Sequence, residues 1–374
     1  MDFKNLGMTG PVLKALTEAG YAAPTEIQAK AIPPVLAGED IIGCAQTGTG
    51  KTGAFAIPLL QRLAERTSGP RFIRALVLTP TRELAIQIDE NFKLYGKYLG
   101  LKTLCIFGGV SQNAQTQSLK GGIDILTATP GRLLDLIQQK YVDISRVEIF
   151  VLDEADRMLD MGFVNDVKKV HSYLKNKKQT LFFSATLPDR ALKLAATMVK
   201  NPKRVQVSPV SSTAEQITQG IYLVNKQEKS KLLVRILEEK TDSRSLVFTK
   251  TRHGADRLAR QLGKSGIAAV AIHGSKSQNA RVRALEEFKS SKVRVLIATD
   301  IAARGIDIEA LPFVVNFELP DVPETYVHRI GRTGRAGMAG EAISFYAPGE
   351  DDDNLSGIQK LIGFEIPVRD LNLN

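Results

Sequence analysis

The chain has 374 residues, 43% of them apolar and 24% charged, which is the make-up of a folded globular protein and exceeds one comfortable core. No apolar run approaches the ~20 residues that cross a bilayer, and Met1-Asp2-Phe3-Lys4-Asn5 resembles neither a signal sequence nor a transit peptide, so a cytoplasmic protein without a membrane segment is expected. Fifty basic against forty acidic side chains leave a formal charge of +10, which favours a polyanionic partner without naming one. Cys44 and Cys105 have no metal-ligand spacing between them and read as reduced thiols in apolar strands.

Along the chain, short β-branched runs alternate with amphipathic stretches, the pattern of parallel βαβ units. In the first half the runs predict strands near Ile41–Cys44, Arg74–Leu78, Thr103–Phe107, Ile123–Thr127, Glu148–Leu152, Thr180–Phe183 and Arg204–Val207. Helices are predicted over Thr52–Ala64, Arg82–Leu94, Gly131–Gln138 and Asp189–Val199. The strands are nearly continuous apolar runs, so helices should cover both faces of their sheet. Ser208-Pro209-Val210-Ser211-Ser212-Thr213 then breaks the pattern, which predicts a first lobe over 1–207, a linker over 208–219 and a second lobe over 220–374. The second lobe restarts with strands near Ser245–Thr249, Ala268–Ile272, Val293–Ala298, Phe313–Phe317 and Ala342–Phe345. The expected fold is α/β in two lobes.

Three segments carry chemistry. Ala45-Gln46-Thr47-Gly48-Thr49-Gly50-Lys51-Thr52 lies between a buried strand and a helix, where successive N–H groups and a helix N-terminus can cradle a phosphate. Gly48 and Gly50 let the backbone approach, Lys51 can reach β/γ-phosphates and the Thr52 hydroxyl can bind Mg²⁺; Ala45 stands where the generic pattern has glycine. Asp153-Glu154-Ala155-Asp156 follows the apolar run 149–152, so it projects into the crevice where open α/β sheets bind ligands. There Asp153 can hold Mg²⁺, partly through water, and Glu154 can take a proton from an attacking water; an ordinary helix cap is the plainer reading of Asp153. Upstream, Gln28 has the amide that pairs with adenine N6 and N7, and Tyr21 could stack on the base, although a surface turn would look the same. In the second lobe His328-Arg329-Ile330-Gly331-Arg332-Thr333-Gly334-Arg335 sets two arginines three apart among glycines, which suits the phosphate oxygens of a nucleotide held by the first lobe, although a solvated basic loop would look the same.

With these residues in order, the chain closely resembles the DEAD-box RNA helicases, and within them the bacterial RhlE-like branch, from Phe3 to about Phe345. The resemblance implies two tandem RecA-like lobes, each a mostly parallel sheet flanked by helices. It implies an ATP site built from Tyr21, Thr25, Gln28, Gln46, Thr47, Gly48, Thr49, Gly50, Lys51, Thr52 and Asp307, with Phe3 as an isolated upstream aromatic. Lys51, Asp153, Glu154, Arg332 and Arg335 look catalytic, the two arginines as fingers toward the γ-phosphate. Ser184, Thr186 and His328 resemble the residues that couple hydrolysis to strand separation. Arg82, Gly109, Thr129, Arg132, Gln278 and Thr299 fall on RNA-contacting motifs, and Arg304 on the RNA and interlobe motif of Thr299. The implied cofactors are ATP and Mg²⁺, and the implied partner is single-stranded RNA gripped by its backbone and locally unpaired from short duplexes; a monomer is expected. Read from the residues alone, an ATP-dependent DNA translocase or an ATP-gated RNA clamp remains open, because 2′-hydroxyl contacts are not legible in a sequence.

Overall fold

The structure is a computed structural model that describes all residues except 1, 46–47, 66–69, 208–216, 242, 304–307, 309–310, 335–339 and 370–374. The chain divides into two compact units, Met1–Ser208 and Pro209–Asn374. Gln46, Thr47, Arg304, Asp307 and Arg335 lie outside the described residues.

In the first unit a 3-10 turn (Phe3–Leu6) leads into α1 (Gly10–Glu18) and α2 (Glu26–Leu36). Strands then alternate with helices: β1 (Ile41–Cys44), α3 (Lys51–Ala64), β2 (Ala75–Leu78), α4 (Arg82–Tyr95), β3 (Thr103–Ile106), α5 (Gln112–Lys120), β4 (Ile125–Ala128) and α6 (Pro130–Gln138). They continue with β5 (Ile149–Leu152), α7 (Ala155–Asp160), α8 (Val164–Ser172), β6 (Gln179–Ser184), α9 (Asp189–Ala196) and β7 (Lys203–Gln206). The seven strands form one parallel sheet in the order β3-β4-β2-β5-β6-β1-β7. Successive residues of a strand point to opposite faces, so Ile149 and Val151 enter one core cluster while Phe150 and Leu152 enter the other. Interior β2, β4, β5 and β6 are buried along their whole length, as continuous apolar runs predict, whereas the edge strand β7 buries Val205 alone.

The second unit repeats the plan with β8 (Thr218–Leu223), α10 (Lys229–Glu239), β9 (Ser245–Thr249), α11 (Arg252–Lys264), β10 (Ala269–Ile272) and α12 (Gln278–Lys289). It ends with β11 (Val295–Thr299), α13 (Asp300–Ala303), β12 (Phe313–Asn316), α14 (Pro323–Ile330), β13 (Glu341–Tyr346) and α15 (Asp352–Ile362). Its parallel sheet runs β10-β11-β9-β12-β13-β8, again with a separate core on each face.

Two expectations need correcting. The predicted linker 208–219 reaches too far, because β8 begins at Thr218 and pairs with β13. Polar Thr218-Gln219-Gly220 hides the strand in the sequence; β8 has β13 on one side, and on the other Ile221 bonds the carbonyl of Pro367 (2.9 Å) and the amide of Arg369 (2.7 Å). The strand predicted from Ile123 begins at Ile125, and just before it the Asp124 carboxylate accepts from the Lys102 amide (2.8 Å), Arg71 and Arg74.

Candidate active site

β1 delivers the chain to the phosphate-loop sequence at the C-terminal rim of the first sheet. Gly48 (φ 82°) and Gly50 (φ 92°) occupy the left-handed region that strains an L side chain. Gly50 is required twice over, since a Cβ there would lie 2.6 Å from Gln28 Nε2 and 2.9 Å from Thr25 Oγ1. Helix α3 starts at Lys51, which is buried and donates from Nζ to the Ala45 carbonyl. Burial pulls the Lys51 ammonium below its ordinary pKa, and nearby Asp153, Glu154 and Asp156 oppose that fall. The Lys51 side chain therefore ties the start of α3 back to Ala45, just past the end of β1.

Gln28 packs against this loop. Its Oε1 accepts the Thr25 amide (3.0 Å) and its Nε2 donates to the Gly50 carbonyl (3.1 Å). The adenine-type segment and the phosphate-type segment are thus one hydrogen-bonded unit. Tyr21 has its hydroxyl 2.6 Å from that of Tyr95, at the end of α4, and its ring edge-on to that residue. Phe3 is buried and its ring packs in the lobe's core.

The tetrapeptide 153–156 caps β5. Asp153 is buried, and burial together with the Glu154 charge pushes its carboxyl up to about 7. Its Oδ1 accepts the Glu154 amide (2.9 Å), so it does not cap α7, whose first flanking residue is Glu154. Glu154 holds a left-handed backbone (φ 54°), a strained state for a residue with a side chain. Its carboxylate accepts a hydrogen bond from Arg157 Nη1. Asp156 reaches across to the end of β6: Oδ2 takes the amide and hydroxyl of Thr186 (2.9 Å each), and its own amide donates to Ser184 Oγ (3.1 Å). The spacing of the sequence exposes Asp153 and Glu154. It does not expose the clamp at Asp156 or the pair at Arg157, although Glu154 and Arg157 are separated by the i,i+3 step that brings helical side chains together.

The other motifs of the first lobe gather on three adjacent strands. Arg82 opens α4 after β2, Gly109 follows β3, and Thr129 with Arg132 opens α6 after β4; the sheet order places β3, β4 and β2 side by side. The Arg82 guanidinium lies against Gly109, where a Cβ would come within 2.2 Å of it. Arg132 donates from Nη2 to the Val110 carbonyl (3.1 Å), which ties the glycine turn to α6. Thr129 is the residue flanking α6, yet its hydroxyl does not cap the helix. The nucleotide-type motifs follow β5, β6 and β1, which are likewise neighbours.

The second lobe has the same division. Gln278 starts α12 after β10 and Thr299 ends β11, both buried, and these two strands are adjacent. His328 is half-buried on α14 and Arg332 is buried just beyond it. Arg329, which spacing does not single out, is 1% exposed and forms a bidentate pair with Asp300 (2.6 and 2.8 Å) while donating to Asn316 Oδ1 (3.1 Å) and the Glu318 carbonyl (2.7 Å). Among the described residues no group of three or more His, Cys, Asp or Glu gathers as a metal cluster, and no helix is long and apolar enough to cross a membrane.

Two parallel-sheet lobes, with a phosphate-loop lysine and paired carboxylates at the strand ends of the first, define the class of two-lobed RecA-like proteins. A family model described as DEAD/DEAH box helicase matches residues 25–195, and one described as Helicase conserved C-terminal domain matches 228–337. DEAD-box ATP-dependent RNA helicase RhpA of Helicobacter pylori is 43% identical over 98% of this chain and 74% of its own. CshA of Streptococcus pneumoniae, of the same description, is 42% identical over 94% of this chain and 66% of its own. The solved structure of Saccharomyces cerevisiae Dbp5 bound to RNA and ADP BeF3 is similar at a TM-score of 0.86 and 32% identity, covering 98% of this chain and 95% of that one. The chain belongs to the DEAD-box ATP-dependent RNA helicase family.

Proposed function

We propose the following division of labour for an RNA helicase that spends ATP. The first lobe binds ATP, with the Gly48–Gly50 turn and Lys51 at the phosphates and Gln28 at the adenine edge. The oxygen donors at hand, the Asp153 carboxylate and the Thr52 hydroxyl, suit Mg²⁺, a hard cation that takes one or two carboxylates beside the substrate phosphates. When bound, it would neutralise developing charge on those phosphates. Glu154 orients the attacking water and accepts its proton. Arg332 and Arg335 of the second lobe supply the γ-phosphate contacts that the first lobe lacks, which makes closure of the lobes depend on ATP.

RNA is held by its phosphates through Arg82, the turn at Gly109, Thr129 and Arg132 in one lobe and Gln278 and Thr299 in the other. Such backbone contacts position a strand without reading its sequence. Ser184, Thr186 and His328 link the two events; the Asp156 bonds to Ser184 and Thr186 already join the strand ends involved. A monomeric, cytoplasmic protein of the RhlE-like branch is the finer reading that the sequence resemblance supports.

The observation that carries this reading is the buried carboxylate pair at the end of β5 beside buried Lys51. Glu154→Gln keeps the shape of the side chain and removes the base. Its RNA-stimulated ATPase should fall by a factor of about 10²–10⁴ with ATP and RNA binding preserved. Turnover near that of the parent would exclude Glu154 as the base.

A further inference from the structure

The three carboxylates at the end of β5 are restrained in different ways. Asp156 is fixed by Ser184 and Thr186, and Asp153 by the amide that follows it. Glu154 receives a side-chain donor, Arg157 Nη1 on Oε2, and both members of the pair are buried, with side-chain exposures of 4% for Arg157 and 6% for Glu154. An exposed Glu–Arg pair one helical turn apart would be weak and screened by salt. This one has little water around it, so the guanidinium is a fixed partner of the carboxylate. Arg157 is also close enough to Lys51 to weaken that residue's proton affinity, which places it within the charge cluster of the site.

We propose that Arg157 is a positioning residue for hydrolysis, acting through Glu154. This rests on Glu154 being the general base. A glutamate has three rotatable side-chain bonds, and its backbone here is already committed to an unusual conformation (φ 54°). Arg157 holds Oε2 and thereby leaves Oε1 as the oxygen that takes a proton from water while that water's oxygen bonds to the γ-phosphorus and the bond to the ADP oxygen breaks. A misplacement of about 1 Å in such a constellation costs on the order of 10²-fold in rate.

The test uses the full chain with RNA-stimulated ATPase as readout. Arg157→Met, which keeps bulk and removes charge, should lower kcat at least tenfold while leaving KM for ATP unchanged, and Arg157→Lys should recover part of the loss. Glu154→Gln/Arg157→Met should be no slower than Glu154→Gln alone, since the arginine has no base left to position. A kcat for Arg157→Met within twofold of the parent beside an inactive Glu154→Gln overturns the positioning role only. A loss confined to KM, or a double variant much slower than Glu154→Gln, overturns it as well. Normal turnover by Glu154→Gln removes the underlying base assignment and the proposal with it. Should Arg157→Met fail to fold, Arg157→Gln carries the same readings.

Discussion

An amide side chain offers two N–H donors and two lone pairs on its oxygen, and Gln28 uses one of each inside the lobe, on Gly50 and Thr25. One donor and one lone pair remain, which is the complement that adenine N7 and N6 require. A guanine edge presents two acceptors there and leaves the amide oxygen facing one of them. Gln28→Ala should therefore raise KM for ATP and erode the preference over GTP by about 1–3 kcal/mol, roughly 5- to 150-fold. Competition between the two nucleotides measures this, and an unchanged ATP preference would remove Gln28 from the base site. The same substitution also loosens the loop, because Gly50 and Gly53 both lie against the amide. KM should respond more than kcat.

At the level of elements, a buried arginine joins a helix of the second lobe to two strand ends. Arg329 on α14 bonds Asp300 after β11, Asn316 at the end of β12 and the Glu318 carbonyl beyond it. Four of its hydrogen bonds bind one helix to the ends of β11 and β12, the two strands that flank β9, and its guanidinium also lies 5.0 Å from the centre of the Phe248 ring on β9. Removing one partner of such a buried network strands the others, a loss of about 3–5 kcal/mol. Arg329→Met should lower the stability of the second unit by that order, read as an earlier unfolding transition in denaturant for the intact chain. A transition unmoved by the substitution would show that the pair balances its own desolvation. Because α14 carries His328 and leads to Arg332, RNA-stimulated hydrolysis should fall with it under mild denaturant.

At the scale of the whole molecule, each sheet sorts its rim. In the first lobe the ends of β3, β4 and β2 carry Gly109, Thr129, Arg132 and Arg82, and those of β5, β6 and β1 carry the carboxylates, Ser184 and the phosphate loop. RNA affinity resting on phosphate contacts with these residues, as proposed, should fall with salt and hardly vary with base sequence. For single strands log K changes against log salt with a slope of about −0.7 per neutralised phosphate. Arg82→Ala should make the slope shallower by about that much if its guanidinium meets one phosphate. Fluorescence anisotropy with homopolymers of equal length checks both points, and strong discrimination among them would contradict recognition by backbone alone.

The sequence by itself determined the parallel α/β class, because a buried parallel strand must be apolar on both faces and so writes a continuous run such as Ile149–Leu152. It also determined the nucleotide chemistry, since glycines at φ 82° and 92°, a lysine at a helix start and carboxylates at a strand end are local requirements that fix residue type at fixed spacing. One edge strand escaped it: β8 begins on Thr218-Gln219-Gly220, whose place in the sheet comes from pairing with β13 and not from its own composition. The Asp156 clamp, the Arg157–Glu154 pair and the Arg329 network also needed the tertiary structure. Each joins side chains across separate strand ends or a turn with special backbone angles, and the hydrogen bonds that define them have no periodic trace in the chain. The sorting of the rim is likewise a property of strand order, which parallel crossovers set only when the sheet assembles.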